Sequence, residues 1–113
     1  MPSPYEPDAL RWFGVRCLFR FGAAMYEERI TLWRARDLDH AIELAEEEAA
    51  RYCDGTDDGD LPVQYVHLAR AYRFDDEPGA GAEVFSLIRD SDLPPDEYID
   101  RFFETGDEHA GDL

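Results

Sequence analysis

The sequence predicts an α+β fold: a four-stranded antiparallel sheet in the order strand, strand, helix, strand, strand, with one main helix on one face and a short C-terminal helix after it. Three observations predict it. Two period-two runs flank a short turn, one run of helical periodicity is long enough to cover a sheet, and two further strand-like runs precede a Pro-Pro helix start. The 113 residues support one hydrophobic core. Residues 1–10 read as a disordered N-terminal arm, 11–104 as a single domain and 105–113 as an acidic disordered tail.

The first strand spans Arg11 to Phe21, where Phe13, Val15, Cys17, Phe19 and Phe21 alternate with Trp12, Gly14, Arg16, Leu18 and Arg20. After the turn-like Gly22-Ala-Ala, Tyr26 to Arg36 alternates again, with Tyr26, Glu28, Ile30 and Leu32 on one side and Glu27, Arg29, Thr31, Trp33 and Ala35 on the other. The two runs form a hairpin. Asp37 or Asp39 then caps a helix over residues 38–53, whose apolar stripe is Leu38, Ala41, Ile42, Ala45, Ala49, Tyr52 and Cys53. A third strand runs from Pro62 or Val63 to Phe74. The turn DDEPGAG leads to a fourth, AEVFSLIRD, which is apolar on both sides and so has no preferred orientation. Leu93-Pro-Pro-Asp-Glu starts the short helix, with Tyr98, Ile99, Phe102 and Phe103 on one stripe.

In this order, WFGV from Trp12, YEERI from Tyr26, the Ala- and Glu-rich helix from Ala41 to Ala49, and EVFS from Glu83 resemble the bacterial domain-of-unknown-function family numbered 4288. The likeness covers about residues 11–90. It implies the same order of segments and a bacterial source, and brings no activity, cofactor or site residue with it.

Eleven basic residues against 27 acidic ones leave a formal charge of −16. Such a field repels phosphate and anionic membrane surfaces and favours a basic partner. The N-terminal residues MPSPYEPDAL contain no apolar leader core, which points to a cytoplasmic protein. Cys17 and Cys53 lack metal or redox spacing and read as structural thiols.

The stretch DGTDDGDL, Asp54 to Leu61, opens like a calcium loop, with Asp54, Thr56, Asp58, Gly59 and Asp60 in place. The twelfth position, which should hold a bidentate Glu, is Tyr65, and Pro62 interrupts the pattern. The loop therefore reads as a solvated connection, with no metal or cofactor expected. His40, His67 and His109 have no nucleophile motif around them, and an enzyme would need a pocket joining His67 to Cys17, Tyr65 or an acid.

Charge is unevenly placed. Asp37 to Asp60 has ten acids and one Arg, and Asp90 to Leu113 nine acids and one Arg, whereas Arg11 to Arg36 has six Arg and two Glu. If Phe13, Val15 and Phe19 together with Ile30 and Leu32 face the helix, then Trp12, Arg16, Leu18, Arg20, Glu27, Arg29 and Trp33 turn outward together. Trp and Arg are enriched at binding hot spots. The competing role for this face is to be covered by the second helix through Tyr98, Ile99, Phe102 and Phe103.

These observations predict a small, acidic, non-enzymatic domain that binds a protein partner or a second copy through the open sheet face, using Trp12, Arg16, Arg20, Glu27, Arg29 and Trp33. One alternative is an immunity-like inhibitor of a basic toxin such as a nuclease. Another is single-stranded nucleic-acid binding by the sheet, which the net charge opposes.

Overall fold

The computed structural model describes residues 9–55, 62–103 and 105–108. The expected N-terminal arm up to residue 8, the aspartate loop from 56 to 61, and the tail from His109 onward lie outside the described residues. The elements are β1 (Arg11–Phe21), β2 (Met25–Ala35), α1 (Leu38–Gly55), β3 (Val63–Phe74) and α2 (Pro95–Tyr98), which continues as a π-helical turn, Ile99–Phe103.

The sheet has three strands in the order β2-β1-β3, with both pairings antiparallel. This corrects the four-stranded expectation: residues 82–90 carry no regular structure. The physical reason lies in their composition. Val84, Phe85, Leu87 and Ile88 are apolar at both parities, so no single sheet position buries them all, and Phe85 leaves the ladder to pack edge-on against Tyr72 at 5.2 Å between ring centroids.

β1 is central because it is the most apolar on one side. Phe13, Val15, Cys17 and Phe19 are buried and form the core with Ala35, Ala41, Ala45 and Ala49. Alanine at three successive turns of α1 lets the helix approach all three strands closely. The helix begins where Asp37 Oδ1 accepts the His40 N–H at 2.8 Å, and His40 Nδ1 in turn accepts the Arg36 N–H at 3.0 Å. The two bonds satisfy backbone donors on either side of Asp37 at the helix start and give His40 a structural part. Leu38, expected on the buried stripe, is exposed at the helix start.

From α1 the chain returns on the far side of β1. There β3 carries a bulge: Cys17 opposes Ala69 and Phe19 opposes Tyr65, so residues 66–68 face Leu18 alone. His67 absorbs the distortion in the left-handed region, at φ 61°. Such a bulge bends an edge strand and makes it a poor template for further pairing.

No helix among the described residues is long and apolar enough to cross a membrane. Beyond β3, the residues up to Phe103 form an arm. Arg89 holds its distal part together, donating to Tyr98 Oη at 3.0 Å and lying 4.3 Å over the Phe102 ring. No Cα of α2 or the π-helical turn comes within 8 Å of a strand or of α1. The competing arrangement, in which Tyr98, Ile99, Phe102 and Phe103 cover the sheet, is therefore not seen among the described residues, where Ile99, Phe102 and Phe103 are exposed.

Candidate interaction surface

The register of the first hairpin decides which side chains share a face. Gly22, Ala23 and Ala24 form the turn, so Phe21 opposes Met25, and the pairing runs back through Cys17↔Arg29, Val15↔Thr31 and Phe13↔Trp33. Residues directly opposite in an antiparallel pair point to the same side. Glu27, Arg29, Thr31 and Trp33 therefore share the helix side with the core, while Tyr26, Glu28, Ile30, Leu32 and Arg34 join Trp12, Arg16, Leu18 and Arg20 on the other.

The six predicted surface residues are thus divided. Trp12, Arg16 and Arg20 lie on the side away from α1, and Glu27, Arg29 and Trp33 lie under or beside it. The apolar look of Ile30 and Leu32 suggests the opposite phase for β2, but a one-residue slip would break the turn. The three-residue turn was the signal that could have fixed this from sequence.

On the helix side, Glu27 and Arg29 act as ties. Arg29 Nη1 donates to Glu48 Oε1 at 3.0 Å, and its guanidinium lies 3.7 Å from the centre of the Tyr52 ring. Tyr52 Oη donates to Glu27 Oε1 at 2.7 Å, and Tyr65 Oη to Glu46 Oε2 at 2.7 Å. Trp33 packs against the core and donates from Nε1 to Thr31 Oγ1 at 2.7 Å. Together these bonds join both edge strands to α1.

Burial and the hydrogen bond to Glu27 push the Tyr52 hydroxyl up to about 12, and burial with the bond to Glu46 pushes Tyr65 up as well. Cys17 is raised by burial. A reactive thiol or phenol needs the reverse shift. In the groove lined by Glu46, Cys53, Tyr65 and His67, burial pushes the Cys53 thiol and the Tyr65 phenol up. Among the described residues no three His, Cys, Asp or Glu side chains are placed to hold a metal ion.

The raised tyrosine values carry a pH prediction. Each phenol binds its proton more tightly in the folded state, so its contribution is complete below about pH 10, the unfolded value; for Tyr52 it is lost as pH rises through about 12. Urea midpoints should fall between pH 8 and pH 11, and Tyr52→Phe should fall less than wild type over that interval. Equal declines in the two proteins would contradict the role of Tyr52.

The side away from α1 is different in character. At the β3 end, Trp12 and Phe74 stack at 6.4 Å, Tyr72 lies across Gly14, and Phe85 covers Tyr72. A Cβ on Gly14 would overlap the Tyr72 ring, with Cε2 at 2.8 Å, so glycine is what allows this cover. Beyond it the face is open among the described residues: Ile30 is 42% exposed, Leu32 36% and Leu68 47%.

Arg16 and Arg70 stand directly opposite each other beside Leu18, Glu28 and Leu68, around a hollow of about 220 Å³. Like charges facing across a ladder are unfavourable. Among the described residues their anionic neighbour is Glu28, 3.6 Å from Arg16 and largely exposed, which compensates weakly. Arg20 and Arg34 lie on the same side, over the rings of Tyr26 and Trp12. In a chain of charge −16, this patch has four Arg to one Glu. Its chemistry suits an apolar surface that carries carboxylates.

Comparison with protein-family profiles, curated proteins and solved structures gives no match.

Proposed function

We propose that this chain is a small, acidic, non-enzymatic protein-binding domain whose contact surface is the open sheet face around Arg16, Leu18, Ile30, Leu32, Leu68 and Arg70. The observation that carries this reading is the exposure of Ile30, Leu32 and Leu68 beside an arginine pair that Glu28 compensates only weakly, on a sheet whose other face is filled. Apolar area beside desolvatable Arg is what binding hot spots are made of. Burial raises the Cys17 thiol and the Tyr65 phenol, the reverse of what an activated nucleophile needs, which favours a binding role.

The open face is locally basic, so it favours an acidic contact. A basic partner, as in the immunity-like alternative, would have to meet the outer side of α1 with Glu43 and Glu47 instead. Stacking of nucleic-acid bases gains little support, since Phe74 is buried and Tyr72 is covered by Phe85.

Ile30→Glu tests the proposal. Sedimentation and co-purification from the source cells should show loss of self-association, or of the bound partner, while the fold is kept. Binding that survives Ile30→Glu but is lost on reversing Glu43 and Glu47 would transfer the contact to α1 and reject the open face.

A further inference from the structure

We propose that the arm of one copy, residues 83–103, docks on the open sheet face of a second copy, so that the chain assembles as a reciprocal arm-exchanged pair. This rests on the reading of the open face as the contact surface and names its occupant.

Charge supports the match. The arm carries Glu83, Asp90, Asp92, Asp96, Glu97 and Asp100 against Arg89 and Arg101, a net of −4. Both arginines lie over arm aromatics, Arg89 over Tyr98 and Phe102 and Arg101 over Phe102. The acids remain to face outward. The receiving face carries four Arg and one Glu, a net of +3, with the opposed pair Arg16 and Arg70 at its middle. A carboxylate placed between those two guanidinium groups would relieve their repulsion and form charge-assisted hydrogen bonds.

The apolar surfaces match as well. Ile88 is 93% exposed and Phe103 73%, with Leu87 and Ile99 also exposed. Groups of this size left in water on an arm, and Ile30, Leu32 and Leu68 left in water on a sheet, are two halves of a contact. Apart from Phe85 on Tyr72, these arm side chains stay exposed on their own chain, and no Cα of α2 or the π-helical turn comes within 8 Å of a strand Cα.

The root of the arm is placed for exchange. Phe85 sits on Tyr72 at the border of the open face, where Trp12 Nε1 and Tyr72 Oη are shielded from water without a hydrogen-bond partner among the described residues. Unpaired buried polar atoms are unfavourable, so this border gains from repacking. Every copy carries one arm and one face. A two-fold axis therefore forms the same contact twice, and the pair is closed.

Sedimentation equilibrium at low salt tests this with the full-length chain, an arm variant (Leu87→Asp with Ile88→Asp) and a face variant (Arg16→Glu with Arg70→Glu). All four substitutions are outside the core, and circular dichroism checks the fold. Wild type should have twice the 13.0 kDa chain mass. Each variant alone should associate at least about tenfold more weakly, and an equal mixture should recover association, since one intact arm then meets one intact face.

A wild type that stays a single chain would overturn the exchange and leave the open face available to another partner. An arm variant that pairs as wild type would also overturn it, with the faces meeting directly. A face variant that pairs as wild type would reject the exchange and the open-face reading together.

Discussion

Phe19→Ala is expected to destabilise the protein by about 3–5 kcal/mol, the largest effect of any single truncation in the core. Phe19 is fully buried on the central strand. Its ring meets Tyr52 edge-on at 5.0 Å and Tyr65 at 5.4 Å, and the Arg29 guanidinium lies 5.6 Å from its centre. Removing it opens a cavity between α1, β2 and β3 at once. The neighbours cannot close in, because the helix side of that cavity is a backbone already brought near by Ala45 and Ala49. Urea denaturation followed by circular dichroism measures the loss, and a change below about 1 kcal/mol would show that Phe19 is not the keystone of the core.

Arg29→Glu is expected to cost about 2–3 kcal/mol, somewhat less than breaking a fully buried pair, because the Arg29 and Glu48 side chains keep about a quarter of their exposure. The substitution removes the bond to Glu48 and the contact over Tyr52, and it places a third carboxylate near Glu27 and Glu48. In a protein of charge −16 such a cluster has little nearby compensation. The melting temperature should fall by about 10 °C or more for a domain of this size. A shift of a degree or two, with lost binding instead, would mean that Arg29 serves a partner rather than α1.

Much of the fold was legible in the residues. The alternation of Phe13, Val15, Cys17 and Phe19 marks β1, and its bounds coincide with the expected ones. The Ala stripe marks α1, and Asp37 proves to be its cap. β3 ends at Phe74 as expected, and the Pro-Pro signal does start a helix. The rest failed for two physical reasons. EVFSLI has strand-like residues but no polar face, and whether such a run joins the ladder depends on whether the rest of the fold covers its second face. In β2 the apolar parity and the turn geometry disagree, and the turn wins because register is set by backbone hydrogen bonds.

That second failure also rearranged the candidate site. Trp12, Arg16 and Arg20 kept the outward position expected of them, though Trp12 is partly covered from β3 and the arm. Glu27, Arg29 and Trp33 changed sides and became supports for α1. Arg70, Leu68 and Ile30, which sequence reasoning missed as a group, entered the open face because the β2 register sets Ile30 opposite Arg16 and the pairing of β3 with β1 sets Arg70 opposite it on the other side. No local motif encodes that pairing.

The phase of β2 decides which of its side chains lie on the open face, and two adjacent residues test it. Urea denaturation of Arg29→Glu and Ile30→Glu, side by side, should separate them: a loss of about 2–3 kcal/mol for Arg29→Glu, and a change within about 0.5 kcal/mol for the surface substitution Ile30→Glu. The reverse order, with Ile30→Glu unfolding the protein and Arg29→Glu leaving it intact, would place Ile30 under the helix and contradict the open face described here.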